Sequence, residues 1–514
     1  MDKQKIRDKS SQDNANILLL EKGKRGALNE VFGRTMLIVV LLAVQFLLLF
    51  EVFRSLRFVK YIYAVQQALN VVFILHMVNR PSVPETKMSW ILLVVLVPPV
   101  GVFLYLFVEM DWGHRVLNRR LSTLIEETGA LLPRNPALAE KIAREAPELN
   151  GIARYTWEHG FYPPYENTEV EYLPSGEAAL EAILRELDRA EQFIFLEFFI
   201  IDEGEMWGRV LKKLEEKAAA GVEVRVLYDG TCAIFRLPYR YPKMMEQLGI
   251  QCKMFSPLRP LVSTHYNNRD HRKILVVDGK VALTGGVNLA DEYINKKQLF
   301  GHWKDNALLL RGEAVRSFTL MFLQMWNIDQ QGESFARYLS VSESVPGAPG
   351  YVLPYADSPL DDERVGEMVY LDILNRASRY VHIMTPYLIL DREMITALTF
   401  AAKRGVRSPS CCPTFRTSDM PSRWPRHTIG SCSPPACTFW NTRRASSTRR
   451  CSWPTISAPS WARSTWTIAA CTCTSSAPRT CTTCLPWAPW SGIFRRRRSS
   501  ARKSGWRICG ASAR

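Results

Sequence analysis

Cysteine is almost missing from the first 407 residues of this 514-residue chain, where only Cys232 and Cys252 occur. Two thiols cannot build a disulfide framework or a four-cysteine zinc site, so this part must be held by an apolar core and suits a reducing compartment. An excess of charge of either sign is missing too. The same 407 residues carry 49 basic and 49 acidic side chains, and so neutral a body gives no reason to expect a nucleic-acid partner. The formal net charge of +16 arises elsewhere: residues 408–514 hold 17 of the 66 Lys and Arg, a single acid, Asp419, and no Glu. The N-terminus lacks a cleavage-site pattern close behind a short apolar core, so residues 1–34 read as a retained polar tail of cytoplasmic type.

Long uncharged runs follow that tail. Residues 35–53 begin with TMLIVVLLAVQFLLLF, and residues 90–108 read WILLVVLVPPVGVFLYLFV. Each approaches the ~20 apolar residues that cross a bilayer, and Pro98 and Pro99 are better tolerated in lipid than in a soluble helix. Both are expected to span. Residues 61–78 are interrupted by Gln66, Gln67, Asn70 and His76 but flanked by basic side chains, which makes them a third candidate span. The region 35–108 therefore reads as a multi-pass cell-membrane anchor, and 109–170 as a helical, charge-mixed connector.

Beyond it the texture becomes α/β. Residues 178–191 have helical periodicity, 192–201 (QFIFLEFFII) form a buried strand, 206–220 form a second amphipathic helix ended by Gly221, and 222–228 alternate as a strand. The order recurs in 365–376, 380–388 and 394–403, ending at Gly405; RAEQFIFLEFFI matches RASRYVHIMTPYL. This is an internal duplication, with a first repeat at 171–340 and the start of a second at 351–407, and it predicts a mainly parallel sheet covered by helices.

The first repeat contains HRKILVVDGKVALTGG, residues 271–286. His271 and Lys273 are two apart on a predicted strand and share a face. A neutral imidazole can attack phosphorus while an ammonium neutralises the nonbridging oxygens, so the pair suits phosphoryl transfer without a metal or other cofactor. Asp278 and Gly279 signal a turn, which gives Asp278 a structural alternative to contact with substrate. Gly285 and Gly286 would let backbone approach a ligand, where Asn288 offers a donor and an acceptor.

On His271, Lys273, Asp278, Gly285, Gly286, Asn288 and the later HWKDNALLLRG at 302–312, the chain resembles the bacterial cardiolipin synthases of the phospholipase D superfamily. The resemblance covers residues 35–407. It implies a phospholipase D-like fold of two repeats behind transmembrane helices, one active site between the repeats, and an HxKxxxxD element from each. It further implies His271 as nucleophile or partner acid, Lys273 as phosphate ligand, and Asp305 as the carboxylate that orients the histidine. The implied reaction joins two phosphatidylglycerol molecules into cardiolipin plus glycerol through a phosphatidyl-histidine. Alternatives are a phospholipase D-type phosphodiesterase or nuclease, and a catalytically dead membrane protein.

The second HxKxxxxD element is absent, and a slipped reading frame near Arg407 accounts for it. Residues 408–514 carry ten Cys and eight of the 14 Trp, without a visible strand or helix period. Cys481 and Cys484 form a CxxC with no second pair, and His427 is the only histidine there, so a zinc-binding tail is a weak rival. Cys411, Cys412, Pro413 and Thr414 can be written TGC TGC CCC ACN, which one nucleotide earlier reads Leu-Leu-Pro-His. Shifted likewise, SSTRRCSWP at 446–454 permits Ile-His-Ala-Lys-Val-Leu-Val-Ala, and Thr455 permits the following Asp. SWARSTWT at 460–467 then permits Val-Gly-Thr-Ile-Asn-Met-Asp, the counterpart of GGxN. The tail is accordingly expected to be out of frame and non-native, and the chain inactive.

Overall fold

The computed structural model describes residues 59–406 apart from short segments at 81–83, 99, 110–111, 257–268, 300–301, 331–332, 341–342, 358–362, 382 and 385–389, with scattered residues between 40 and 48 and three short strands between 408 and 451. Most of the predicted span at 35–53 and most of the tail at 408–514 lie outside the described residues.

Residues 61–78 do form a helix, Val59–Asn79, but 90–108 is not one. It is split into Pro84–Leu96 and Val100–Glu109, and the Trp90 and Tyr105 rings stand 5.5 Å apart edge to face. Fifteen residues of straight helix would hold those rings more than ~20 Å apart. The chain therefore folds back at Val97 and Pro98, because a proline cannot continue the hydrogen-bond ladder. A Cβ on Gly101 would stand 2.5 Å from the Leu93 carbonyl oxygen, so glycine permits the close return. Met77, on Val59–Asn79, packs with Val94 and Tyr105 of this helical hairpin. Among the described residues no helix is long and apolar enough to cross a membrane. The single span expected over 90–108 is thus corrected to two short helices.

The globular body is a seven-stranded sheet with the order β1-β8-β6-β5-β2-β3-β4. In chain order these are β1 (Thr168–Leu173), β2 (Phe193–Phe198), β3 (Glu223–Asp229), β4 (Gln251–Phe255), β5 (Lys273–Val277), β6 (Val281–Gly285) and β8 (Ala307–Gly312), with the short β7 (His302–Lys304) outside the sheet. Only the pairs β2–β3 and β3–β4 are parallel; β1–β8, β8–β6, β6–β5 and β5–β2 are antiparallel. The mainly parallel sheet expected from alternating strands and helices is corrected to a mixed one. Helical crossovers serve only β2 to β4, while the Asp278–Gly279 turn returns β5 directly into β6.

Both faces are covered. Ile194, Leu196, Phe198, Val224, Leu275 and Val277 pack under the helices Gly176–Arg189 and Glu205–Ala219. Phe193, Phe195, Leu227, Ile274 and Val276 face the opposite way, onto the helix Val315–Trp326. The predicted connector joins that second layer: Leu121, on the helix Trp112–Gly129, is buried there, and Gln324 donates to Thr128 at 2.8 Å.

After it comes Val365–Arg376, then β9 (Ile383–Met384), Arg392–Lys403, Gly405 and β10 (Ser408–Cys412), which pairs parallel with β9. Gly405 has φ +87° and Gly221 has φ +91°, so both helices end on the left-handed residue that reverses the chain into the next strand. The tail expected to lack strands also contributes β11 (Cys437–Asn441), beside β10, and β12 (Arg449–Cys451), beside β7. Placement beside an existing strand supplies backbone partners whatever the side-chain period.

Candidate active site

β5 is buried at all five positions, and its entry carries His271 and Lys273. Asp229, at the end of β3, accepts the Asp270 amide at 3.0 Å, and Phe199 donates its amide to the Arg272 carbonyl at 3.1 Å, so the residues before β5 are pinned from both sides. Lys273 Nζ then lies 2.9 Å from His271 Nδ1 and 3.3 Å from Nε2, and donates to the His271 carbonyl at 2.6 Å. The Phe199 ring forms the floor. Its centroid is 4.6 Å from that of His271 and 5.3 Å from the Lys273 ammonium.

This setting alters both groups. Burial, and then the charge of Lys273, holds the His271 imidazolium well below its usual range, so the ring is neutral at pH 7. Burial pushes Lys273 down to about 7, against the opposing pull of Asp270, Asp305 and Asp229. A neutral imidazole beside an ammonium that gains from an arriving anion is a competent arrangement for attack on a phosphate ester.

Asp305 is buried, accepts from Trp303 Nε1 at 3.1 Å and from the Asn306 amide at 2.8 Å, and lies in the field of Lys273. Gly286 exists for this carboxylate: a Cβ there would meet Asp305 Oδ1 at 2.2 Å. A Cβ on Gly285 would meet the Ala307 Cα at 2.6 Å. The two glycines let β6 close against the Asp305–Ala307 segment. Asn288 is likewise occupied. Its Oδ1 accepts the Ile200 amide at 3.0 Å and its Nδ2 donates to the Tyr293 hydroxyl at 2.7 Å. The Tyr293 ring leans on Trp303 with centroids 4.8 Å apart, which links Asn288 to the donor that holds Asp305.

Asp278 is the predicted site residue that the structure sets apart. It occupies the far end of β5, roughly 20 Å along the strand from His271. At φ +53° its carboxylate accepts the amides of Glu191, Gln192 and Phe193 at 2.8, 2.7 and 2.8 Å. These three bonds clamp the start of β2, the structural role that a turn residue there can fill.

Sequence reasoning overlooked three buried acids beneath the pair: Glu197, Asp229 and Asp270. Burial raises Asp229 to about 6 despite Arg269. The signal for Glu197 was present, a lone carboxylate inside FIFLEF. Elsewhere, Glu367, Asp391 and Glu393 could converge on a cation, but Asp391 caps its own helix by accepting the Met394 amide.

Residues 183–326 match the family model described as "Cardiolipin synthase, PLD-like domain", and residues 68–109 match "Phospholipase_D-nuclease N-terminal". A protein of Streptococcus mutans is 48% identical over 348 residues, which cover 68% of this chain and 76% of that one. The cardiolipin synthase of Geobacillus kaustophilus is 32% identical over 351 residues, 67% of this chain and 69% of its own. Among solved structures, a phosphatidylserine synthase of Haemophilus influenzae aligns with a TM-score of 0.44 and 12% identity, over 62% of this chain and 85% of that one.

Proposed function

The chain belongs to the cardiolipin synthase family of the phospholipase D superfamily, and from that premise we propose that its frame-intact form is a membrane-bound phosphatidyltransferase making cardiolipin from two phosphatidylglycerol molecules. The observation that carries this reading is the neutral His271 ring with the Lys273 ammonium 2.9 Å from it. The ammonium now reaches both ring nitrogens, and an incoming phosphate draws it away and frees the imidazole. A ring nitrogen attacks phosphorus, the bond to the glycerol oxygen breaks, and glycerol leaves with a proton from a second histidine on the opposite repeat. A hydroxyl of the second phosphatidylglycerol then attacks the phosphatidyl-histidine, its proton passes to the second histidine and the phosphorus–nitrogen bond breaks, which yields cardiolipin and restores both histidines. Asp305 orients the ring, as a carboxylate does when it fixes a tautomer and stabilises an imidazolium.

The bilayer is the natural partner of the N-terminal helices. Val65, Leu69, Val72 and Leu75 form an exposed apolar stripe along Val59–Asn79, which lipid would cover. As translated, the chain is inactive, because the opposing histidine belongs to the slipped frame after residue 407. One experiment tests the reading: membranes holding the chain as written, a version with the frame restored at codon 407, and that version with His271→Ala are incubated with labelled phosphatidylglycerol and, in parallel, with a labelled polynucleotide. Cardiolipin plus glycerol is expected from the second alone. Equal cardiolipin formation by the chain as written would refute the frame slip, and cleavage of polynucleotide in place of lipid would refute the substrate.

A further inference from the structure

Glu197 lies in β2 opposite Ile274 and is fully buried, yet neither of its carboxylate oxygens meets a hydrogen-bond donor. Asp270, next to His271, is equally buried, and its Oδ2 has no donor either, while its Oδ1 takes the Arg272 amide at 3.1 Å. The nearest cation to Glu197 is Arg272, whose Nη1 stands 3.6 Å from Oε1, beyond hydrogen-bond range, and donates to the Met321 carbonyl at 3.2 Å. Two ionised carboxylates in so dry a place would cost far more than one guanidinium at that distance offsets.

The two carboxyls are within hydrogen-bonding reach of each other. A proton on one of them supplies the donor that is otherwise missing. Burial and the neighbouring Asp270 charge push Glu197 well above the usual carboxylate range, and Asp270 is raised by burial against the pull of Arg272. Among the described residues, the remaining charged groups around Asp270 and Lys273 are Asp229 on β3, Arg269 beside it at 3.7 Å, and Asp305. The helix packed over Glu197, Val315–Trp326, brings only Arg316, whose guanidinium donates to the Leu339 carbonyl at 3.0 Å.

We propose that Glu197 and Asp270 share one proton, carried by Glu197, and that the carboxylate so left on Asp270 is a positioning residue that keeps the Lys273 ammonium charged beside His271. Asp270 is the strongest of the acids that support that ammonium against burial. The inference rests on the reading of His271 and Lys273 as the active pair only for its consequence in catalysis, and its test does not require turnover.

Two spectroscopic measurements on the whole chain in detergent decide it. Infrared spectra at pH 7 are expected to contain a protonated-carboxyl band that Glu197→Gln removes; its absence from the unmodified chain overturns the proposal without any variant having to fold. Carbon-13 dimethylation of lysines, with the Lys273 signal assigned through Lys273→Arg, follows the ammonium. Asp270→Asn is expected to move its midpoint from about 7 to lower pH, so that less than half remains charged at pH 7, whereas Glu197→Gln leaves it in place. An unmoved midpoint in folded Asp270→Asn, or an equal shift in both variants, overturns the proposal. Neither result bears on whether phosphatidylglycerol is the substrate.

Discussion

A lysine that titrates near 7 inside a protein makes stability and ligand binding depend on pH in opposite ways. The unfolded chain holds the Lys273 proton up to about 10.5 and the folded chain only to about 7, so the unfolded state binds more protons between those values. This group therefore destabilises the fold at neutral pH, and the penalty fades as pH rises toward 10.5. Lys273→Met should raise the melting temperature most near pH 7 and progressively less toward pH 10, read from parallel thermal scans. Phosphate binding should run the other way, weakening above pH 7 as the ammonium is lost, which calorimetry with glycerol phosphate can follow. Asp278 obeys a different logic. Removing an acceptor shared by three backbone amides leaves them without partners, and Asp278→Ala should cost about 3 kcal/mol in urea unfolding while leaving the Lys273 titration unchanged. For Asp305, the frame-restored Asp305→Asn enzyme should lose orders of magnitude in rate, because the amide supports the wrong tautomer. A loss below about threefold in a cardiolipin assay would give that residue to structure alone.

At the level of elements, what the sequence made legible was local, and what it hid was pairing. The strand at Phe193–Phe198, the helix after it and the Asp278–Gly279 turn could be read from periodicity and turn chemistry, and so could the grouping of His271 with Lys273. Nothing local says that β5 runs antiparallel to β2, or that β1 closes the sheet beside β8, since those choices are made between segments far apart in sequence. Nor does anything local say that Gly285, Gly286 and Asn288 meet Asp305, Ala307, Ile200 and Tyr293. Two glycines distinguish the kinds of requirement. Gly286→Ala should displace the Asp305 carboxylate and reduce activity of the frame-restored enzyme by about tenfold or more, with an unchanged circular dichroism spectrum. Gly221 has open space around its Cα but φ +91°, so Gly221→Ala should cost only about 1 kcal/mol of stability and spare the activity.

Over the whole molecule, the fold-back at Val97 and Pro98 bears on which compartment each part of the chain occupies. A straight helix over 90–108 would carry the polypeptide across a bilayer once, whereas a hairpin that enters and returns adds no crossing. On the proposed membrane-bound reading, the tally of crossings between the polar head of the chain and the sheet therefore changes by one, and with it changes whether the two lie on the same side or on opposite sides. Protease added to sealed vesicles is expected to cut a tag at residue 1 and a tag placed after the exposed Gln330 together where that tally is even, and one without the other where it is odd. On the proposed membrane-bound reading, the bend between two short helices bears on which leaflet supplies lipid to His271.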